Sequence, residues 1–180
     1  LKRNFQVIIP DLLGFGFSPR CATNEYNPSK IISYLIDLLK TLQITENLKI
    51  VGASMGGSTA LKLAFEIPDS IEKMILLSPA GLFGKPKSIP FPLNQIGASF
   101  LGLQQVRKSL CRQAFAFPNE CVGEMEEQIA SIHLGCSGWR DSLASFAKSG
   151  GFAGTQKYIQ NIPIKAVCGE NDRILGKKEI

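Results

Sequence analysis

Two residue types in the 180-residue chain stand out for the chemistry they can do: a serine among glycines and a single histidine. The serine is Ser54, in Gly52-Ala53-Ser54-Met55-Gly56-Gly57. A serine hydroxyl is a weak nucleophile and works only when a base activates it. A sharp strand-to-helix turn presents it exposed, and small residues on either side relieve the crowding such a turn creates. Gly52 and Gly56 are read here as removing clashing side chains, and Gly57 as letting the next helix approach the sheet. The N-terminus of that helix would aim backbone N–H groups at a developing oxyanion, with the Met55 N–H as first donor. The chemistry is then nucleophilic attack on a carbonyl, which also needs a base and an acid to orient it. The competing interpretation is a glycine-rich turn that binds phosphate at the helix N-terminus. The flanking segments favour the nucleophile.

Those segments must be a strand and a helix. Leu48 to Val51 is a short apolar run, and Thr59 to Glu66 is rich in helix formers. Upstream, Phe5 to Ile9 reads as a first strand, apolar enough for a parallel sheet buried on both faces. Asp11-Leu12-Leu13-Gly14-Phe15-Gly16-Phe17-Ser18 follows as a tight loop at that strand's carboxyl end, the edge where such sheets place ligands. Phe15 and Phe17 are candidates to line a substrate pocket, against an ordinary structural role for the loop. Pro19 breaks the Gly-x-Gly-x-x-Gly pattern, which disfavours a dinucleotide site. Apolar residues at helical spacing from Ile31 to Leu42 predict a helix over 29–42, and Met74 to Leu77 reads as a further strand. Strands alternating with helices argue an α/β fold, a mostly parallel sheet with flanking helices.

Composition is that of an ordinary globular chain, 44% apolar and 19% charged, with a net charge of +5. The basic residues are scattered apart from the Lys85/Lys87 and Lys177/Lys178 pairs, so no nucleic-acid surface is expected. No run of eighteen apolar residues predicts a membrane span. Five cysteines, Cys21, Cys111, Cys121, Cys136 and Cys168, are odd in number and lack Cys-x-x-Cys spacing. Free thiols in the cytoplasm or another reducing compartment are expected, with no metal site. A targeting signal upstream of Leu1 stays possible, because the chain opens on Leu1 and runs straight into an apolar segment. The chain reads as a piece of a longer one.

Four stretches together resemble the α/β-hydrolase fold family. They are the loop 11–18, the segment 52–57, Pro68-Asp69-Ser70-Ile71-Glu72-Lys73-Met74-Ile75-Leu76-Leu77, and Ile162-Pro163-Ile164-Lys165-Ala166-Val167-Cys168-Gly169-Glu170-Asn171-Asp172. The resemblance implies that residues 1–80 are the first part of a hydrolase core and 81–158 an inserted helical cap or lid. Residues 159–180 then return to the core with the acid-bearing strand. It implies Ser54 as nucleophile, Met55 as an oxyanion donor and Asp172 as the acid; Asp69 and Asp141 are chemically possible but worse placed. The family order is Ser, Asp, His. His133 precedes Asp172 and lies in the expected cap, so the base is expected beyond Ile180, and the 180 residues alone are not expected to be active. Within 81–158, helices are expected over 106–117, 119–133 and 139–146. Phe91, Phe100, Phe115, Phe117 and Trp139 are candidate pocket rings or ordinary cap packing. The segment 89–103 lacks the basic polar face of a membrane-docking flap.

A serine nucleophile disfavours the carboxylate-dependent dehalogenase and epoxide hydrolase relatives. The resemblance implies hydrolysis of an ester, thioester or activated ketone of a small, partly apolar molecule, without a cofactor. Ester hydrolysis, carbon–carbon bond hydrolysis and peroxide-dependent chemistry use nearly the same residues. The alternative is a non-catalytic ligand-binding or vestigial protein on the same fold.

Overall fold

The computed structural model describes residues 3–20, 25–159 and 161–175. Cys21 and the Lys177/Lys178 pair lie outside the described residues. Three strands, β1 (Leu48–Ala53), β2 (Ile71–Leu77) and β3 (Ile164–Val167), form a parallel sheet in the order β1-β2-β3.

The first helix, α1 (Pro28–Thr41), starts where local chemistry stops a turn and opens a helix. Asn27 accepts from the Lys30 N–H at 2.9 Å, Pro28 supplies a preset φ at the first position, and Ile31 and Ile32 are buried. Helix α2 (Met55–Glu66) crosses from β1 to β2 and buries Ala60, Leu61 and Ala64 against Ile71, Met74 and Leu76. This is the core, extended by Leu48, Ile50, Ile67 and Ile164. Because side chains alternate along a strand, the other row of the sheet points away from α2. Val51, Ile75, Leu77 and Val167 in that row are exposed among the described residues.

Strands β2 and β3 are direct neighbours, yet residues 78–163 separate them. That stretch leaves the sheet and folds as α3 (Leu93–Leu101), α4 (Gln104–Gln113), α5 (Pro118–Cys121), α6 (Glu124–Ser131) and α7 (Trp139–Ser149), with single 3-10 turns at Ile132–Gly135 and Thr155–Tyr158. Helix α3 lies on α7, and α4 on α6.

Two expectations are corrected. Residues 5–9 form no strand: Phe5, Val7 and Ile9 are exposed, and no ladder partner lies beside them among the described residues. An extended apolar segment becomes a strand only when a neighbour accepts and donates its backbone bonds. The single helix expected over 119–133 is broken at Val122–Gly123. Val122 is extended, and Gly123 donates its N–H to Glu126 Oε2 at 2.8 Å, which starts α6 anew.

Candidate functional site

Parallel strands deliver their carboxyl ends to one edge, and the register of this sheet fixes what meets there. Ala53, Leu77 and Val167 are aligned across the three strands. The next residues, Ser54, Ser78 and Cys168, therefore leave the sheet in one row. Neighbouring strands lie about 4.8 Å apart, so the outer two leave about 10 Å apart.

Ser54 connects β1 to α2 at φ 49° and ψ −121°, a conformation that costs a non-glycine residue on the order of 1–3 kcal/mol. Three backbone bonds hold it there. Its N–H donates to Leu77 O at 2.9 Å, and its carbonyl accepts from Gly57 N at 2.9 Å and Ala80 N at 3.0 Å. A serine before a helix ordinarily turns its hydroxyl onto the first turn as a cap. Ser54 makes no such bond, and it is exposed. The hydroxyl is thus held outward over a helix N-terminus, whose first amide is that of Met55 and has no acceptor within the helix.

The glycines divide the work unequally. A Cβ on Gly52 would sit 2.4 Å from Gly56 O and 2.8 Å from Gly57 N; on Gly57 it would sit 2.6 Å from Pro79 Cβ. Both positions exclude a side chain. A Cβ on Gly56 meets nothing within 4 Å, so the crowding expected there is absent among the described residues. The loop after β2 is tied down by buried hydroxyls: Ser58 donates to Ala80 O, and Thr155 donates to Gly81 O at 3.0 Å.

Asp172 lies in the turn after β3, with its N–H on Gly169 O at 3.1 Å. Its Oδ1 accepts from both Ile174 N and Leu175 N at 2.9 Å. The Leu175 N–H and then the Ile174 N–H lower its pKa below the ordinary carboxylate value, and the Ser78 hydroxyl adds to this. The carboxylate is therefore ionised at neutral pH. Ser78, the residue that follows β2, carries no motif that marks it in the sequence. Its φ of 39° has no signature in the sequence.

Loop 11–18 folds around Asp11. Phe17 N–H donates to Asp11 Oδ2 at 2.8 Å and the Ser18 hydroxyl to Asp11 O at 2.6 Å. Arg20 donates to Gly16 O at 2.9 Å and to Ser142 Oγ at 3.2 Å, and Ser142 donates to Gly14 O at 2.9 Å, so the loop is bolted to α7. Phe15 packs edge-on against Phe146, with ring centroids 5.2 Å apart, and Phe17 is exposed. Of the two candidate pocket rings, one is thus engaged in packing and the other faces outward.

His133 lies in the 3-10 turn after α6, beside the Trp139 ring. Its Nε2 is 3.3 Å from the Arg107 guanidinium, which can only donate, so His133 is neutral with its proton on Nδ1. Burial holds its pKa below the ordinary value, and Arg107 and Arg20 push the same way against Asp11. Nothing in this arrangement turns it toward Ser54. Asp141 is exposed on α7, paired with its neighbour Arg140, and Asp69 lies in the short turn before β2. A cleft of about 380 Å³ elsewhere is lined by Asn27, Lys62, Pro86, Phe152, Thr155 and Tyr158, none of which belongs to the strand-end row.

Comparison with known proteins agrees with this architecture. The alpha/beta hydrolase fold family matches residues 1–121. The 2-hydroxymuconate semialdehyde hydrolase of Pseudomonas sp. (strain CF600) is 27% identical over 190 residues, covering 97% of this chain and 62% of the relative. The solved structure of a meta-cleavage product hydrolase from Pseudomonas fluorescens IP01 superposes with a TM-score of 0.65 at 21% identity, covering 88% of this chain and 58% of that one. A putative lipase from Acinetobacter baumannii AYE superposes with a TM-score of 0.71 at 20% identity, covering 97% and 61%. This chain therefore spans less than two thirds of the length of each of these proteins. With its parallel sheet, its flanking helices and a family match over residues 1–121, the chain belongs to the alpha/beta hydrolase fold family.

Proposed function

We propose that the full-length protein is a serine hydrolase in which Ser54 is the nucleophile. The observation that carries this is the backbone of Ser54: a strained serine at a strand-to-helix junction whose hydroxyl declines the cap bond open to it. In this reading Ser54 Oγ attacks a substrate carbonyl while a histidine takes its proton. The Met55 N–H stabilises the oxyanion, and Asp172, ionised and held by backbone amides, orients the histidine. Collapse of the tetrahedral intermediate expels the leaving group with that proton, and water then releases the acyl group. In this reading the base is not His133, which is engaged with Arg107.

Residues 81–158 are proposed as the cap over this site. Their excursion from the sheet and the exposed rings of Phe91, Phe100 and Phe117 support that role, and Phe17 faces outward as a candidate wall of the pocket. Excluding water and supplying apolar contact are what such a cap contributes. The substrate is an ester, thioester or activated ketone with an apolar portion. The name of the Pseudomonas relative favours the activated ketone, that is, carbon–carbon bond hydrolysis of a vinylogous diketone. No helix among the described residues is long and apolar enough to cross a membrane. The thiols of Cys111, Cys121, Cys136 and Cys168 are free, in keeping with a reducing compartment.

The test is labelling of the full-length protein with a fluorophosphonate, alongside turnover of p-nitrophenyl esters and of a vinylogous diketone. Labelling is expected, and Ser54→Ala abolishes it together with turnover. Equal labelling of the wild type and Ser54→Ala would refute the assignment. A folded full-length protein that neither labels nor turns over would point instead to a binding role on the same fold.

A further inference from the structure

We propose that Ser78 is a positioning residue for Asp172, holding the acid in register with the nucleophile. The inference rests on the assignment of Ser54 and Asp172 above and adds a residue to it.

Three observations meet at Ser78. It is the first residue past β2, in the same row as Ser54. It has a positive φ of 39°, a region that non-glycine L-residues rarely occupy. Its N–H and its hydroxyl oxygen both face the end of β3 and the turn that leads to Asp172. Its N–H donates to Val167 O at 2.8 Å, and its Oγ accepts from Gly169 N at 3.5 Å. Gly169 O in turn accepts the Asp172 N–H at 3.1 Å, so Ser78 is tied by geometry to the turn that carries the acid. A serine at the end of a strand normally faces water and adopts an extended backbone. Here the unusual φ is what lets the N–H and the hydroxyl address the neighbouring strand's turn together.

The consequence is a short mechanical link. Leu77 O receives the Ser54 N–H, and the next residue grips the turn of Asp172. Nucleophile and acid are thus registered through two consecutive residues of β2. Asp172 Oδ1 is already occupied by Ile174 N and Leu175 N. Ser78 adds a hold on the turn itself, through Gly169, whose N–H it receives and whose O accepts the Asp172 N–H. A carboxylate that orients a base must keep one oxygen aimed while the base gains and loses a proton.

The variants separate the hydroxyl from the backbone. Ser78→Gly relieves the positive φ and removes only the hydroxyl; Ser78→Asn tolerates that φ and restores an acceptor oxygen for the Gly169 N–H. In the full-length protein we expect Ser78→Gly to keep its melting temperature and its KM for a p-nitrophenyl ester. Its kcat and fluorophosphonate labelling rate fall together by about tenfold, and Ser78→Asn recovers most of the loss. Wild-type kcat in Ser78→Gly, or a loss carried by KM alone, overturns the proposal. Asp172→Asn distinguishes the two levels of failure. If Asp172→Asn is inactive while Ser78→Gly is fully active, only the role of Ser78 falls. If Asp172→Asn itself retains wild-type kcat, the acid assignment falls and the Ser78 proposal with it.

Discussion

The two glycines that flank Ser54 are interchangeable in a motif but not in this structure, and that difference can be measured. A methyl group on Gly52 would lie 2.4 Å from Gly56 O, 2.7 Å from Gly56 C and 2.8 Å from Gly57 N. Ordinary contact begins at 3.4 Å, so the gap must widen by about 1 Å. All three neighbours are backbone, with no side chain to rotate aside, so α2 must shift relative to β1. Overpacking of this kind costs about 1–3 kcal/mol. For a protein of this size that lowers Tm by roughly 2–12 °C. The functional loss is larger, because the shift moves Ser54 Oγ and the Met55 N–H relative to any bound carbonyl. A misplacement of about 1 Å costs on the order of 100-fold in rate. Gly56→Ala is the internal control. Its Cβ meets nothing within 4 Å, and its φ is not positive, so alanine stabilises by about 0.4–1 kcal/mol through the unfolded chain. Both variants are compared in the full-length protein by thermal melting and by the rate of fluorophosphonate labelling. The reasoning is refuted if Gly52→Ala labels at the wild-type rate, or if Gly56→Ala is damaged as badly as Gly52→Ala.

Two further predictions concern contacts made by the helical excursion. Ser142→Ala strands Gly14 O and Arg20 Nε, both now bonded to a hydroxyl on a residue 2% exposed. It should destabilise by about 1–3 kcal/mol and speed amide exchange in residues 11–18 more than in β1 and β2; uniform exchange would show that the loop is held by other means. His133 titrates below its ordinary value of 6.5, from burial first and then from Arg107 and Arg20. The unfolded chain therefore takes up the proton first as pH falls, and stability declines from about pH 6.5 downward toward the folded pKa. Proton NMR of the described chain's single histidine should place its pKa below 6.5, and His133→Phe should flatten the difference in denaturant midpoint between pH 7.5 and pH 5.5. A pKa above 6.5 would contradict the geometry around Arg107.

Much of the architecture is local in origin and was legible from residue order. Asn27-Pro28 opens a helix wherever it precedes an amphipathic run, and the apolar spacing from Ile31 onward needs no distant partner to declare itself. The strand Leu48–Ala53, the turn at Ser54 and the helix from Met55 are likewise consecutive, so their chemistry could be read together. Where the sequence misled, pairing over distance was the deciding term. Phe5 to Ile9 has every local mark of a strand but lies without a ladder among the described residues. At Val122–Gly123 the reason is local instead: the Glu126 carboxylate caps a new helix start three residues on, a signal that apolar periodicity does not register.

The row in which Ser54, Ser78 and the turn of Asp172 meet is a tertiary fact. It follows from the register of three strands whose last residues stand 24 and 90 positions apart along the chain. The partner of Phe15, the exclusion of a side chain at Gly52 but not at Gly56, and the left-handed φ of Ser78 are facts of the same kind. Residue types and short spacings determined which groups could react and which segments could carry them. Only the packed sheet decided which of those groups face one another, because a contact between distant residues depends on the surfaces that both have buried, and no local pattern encodes that.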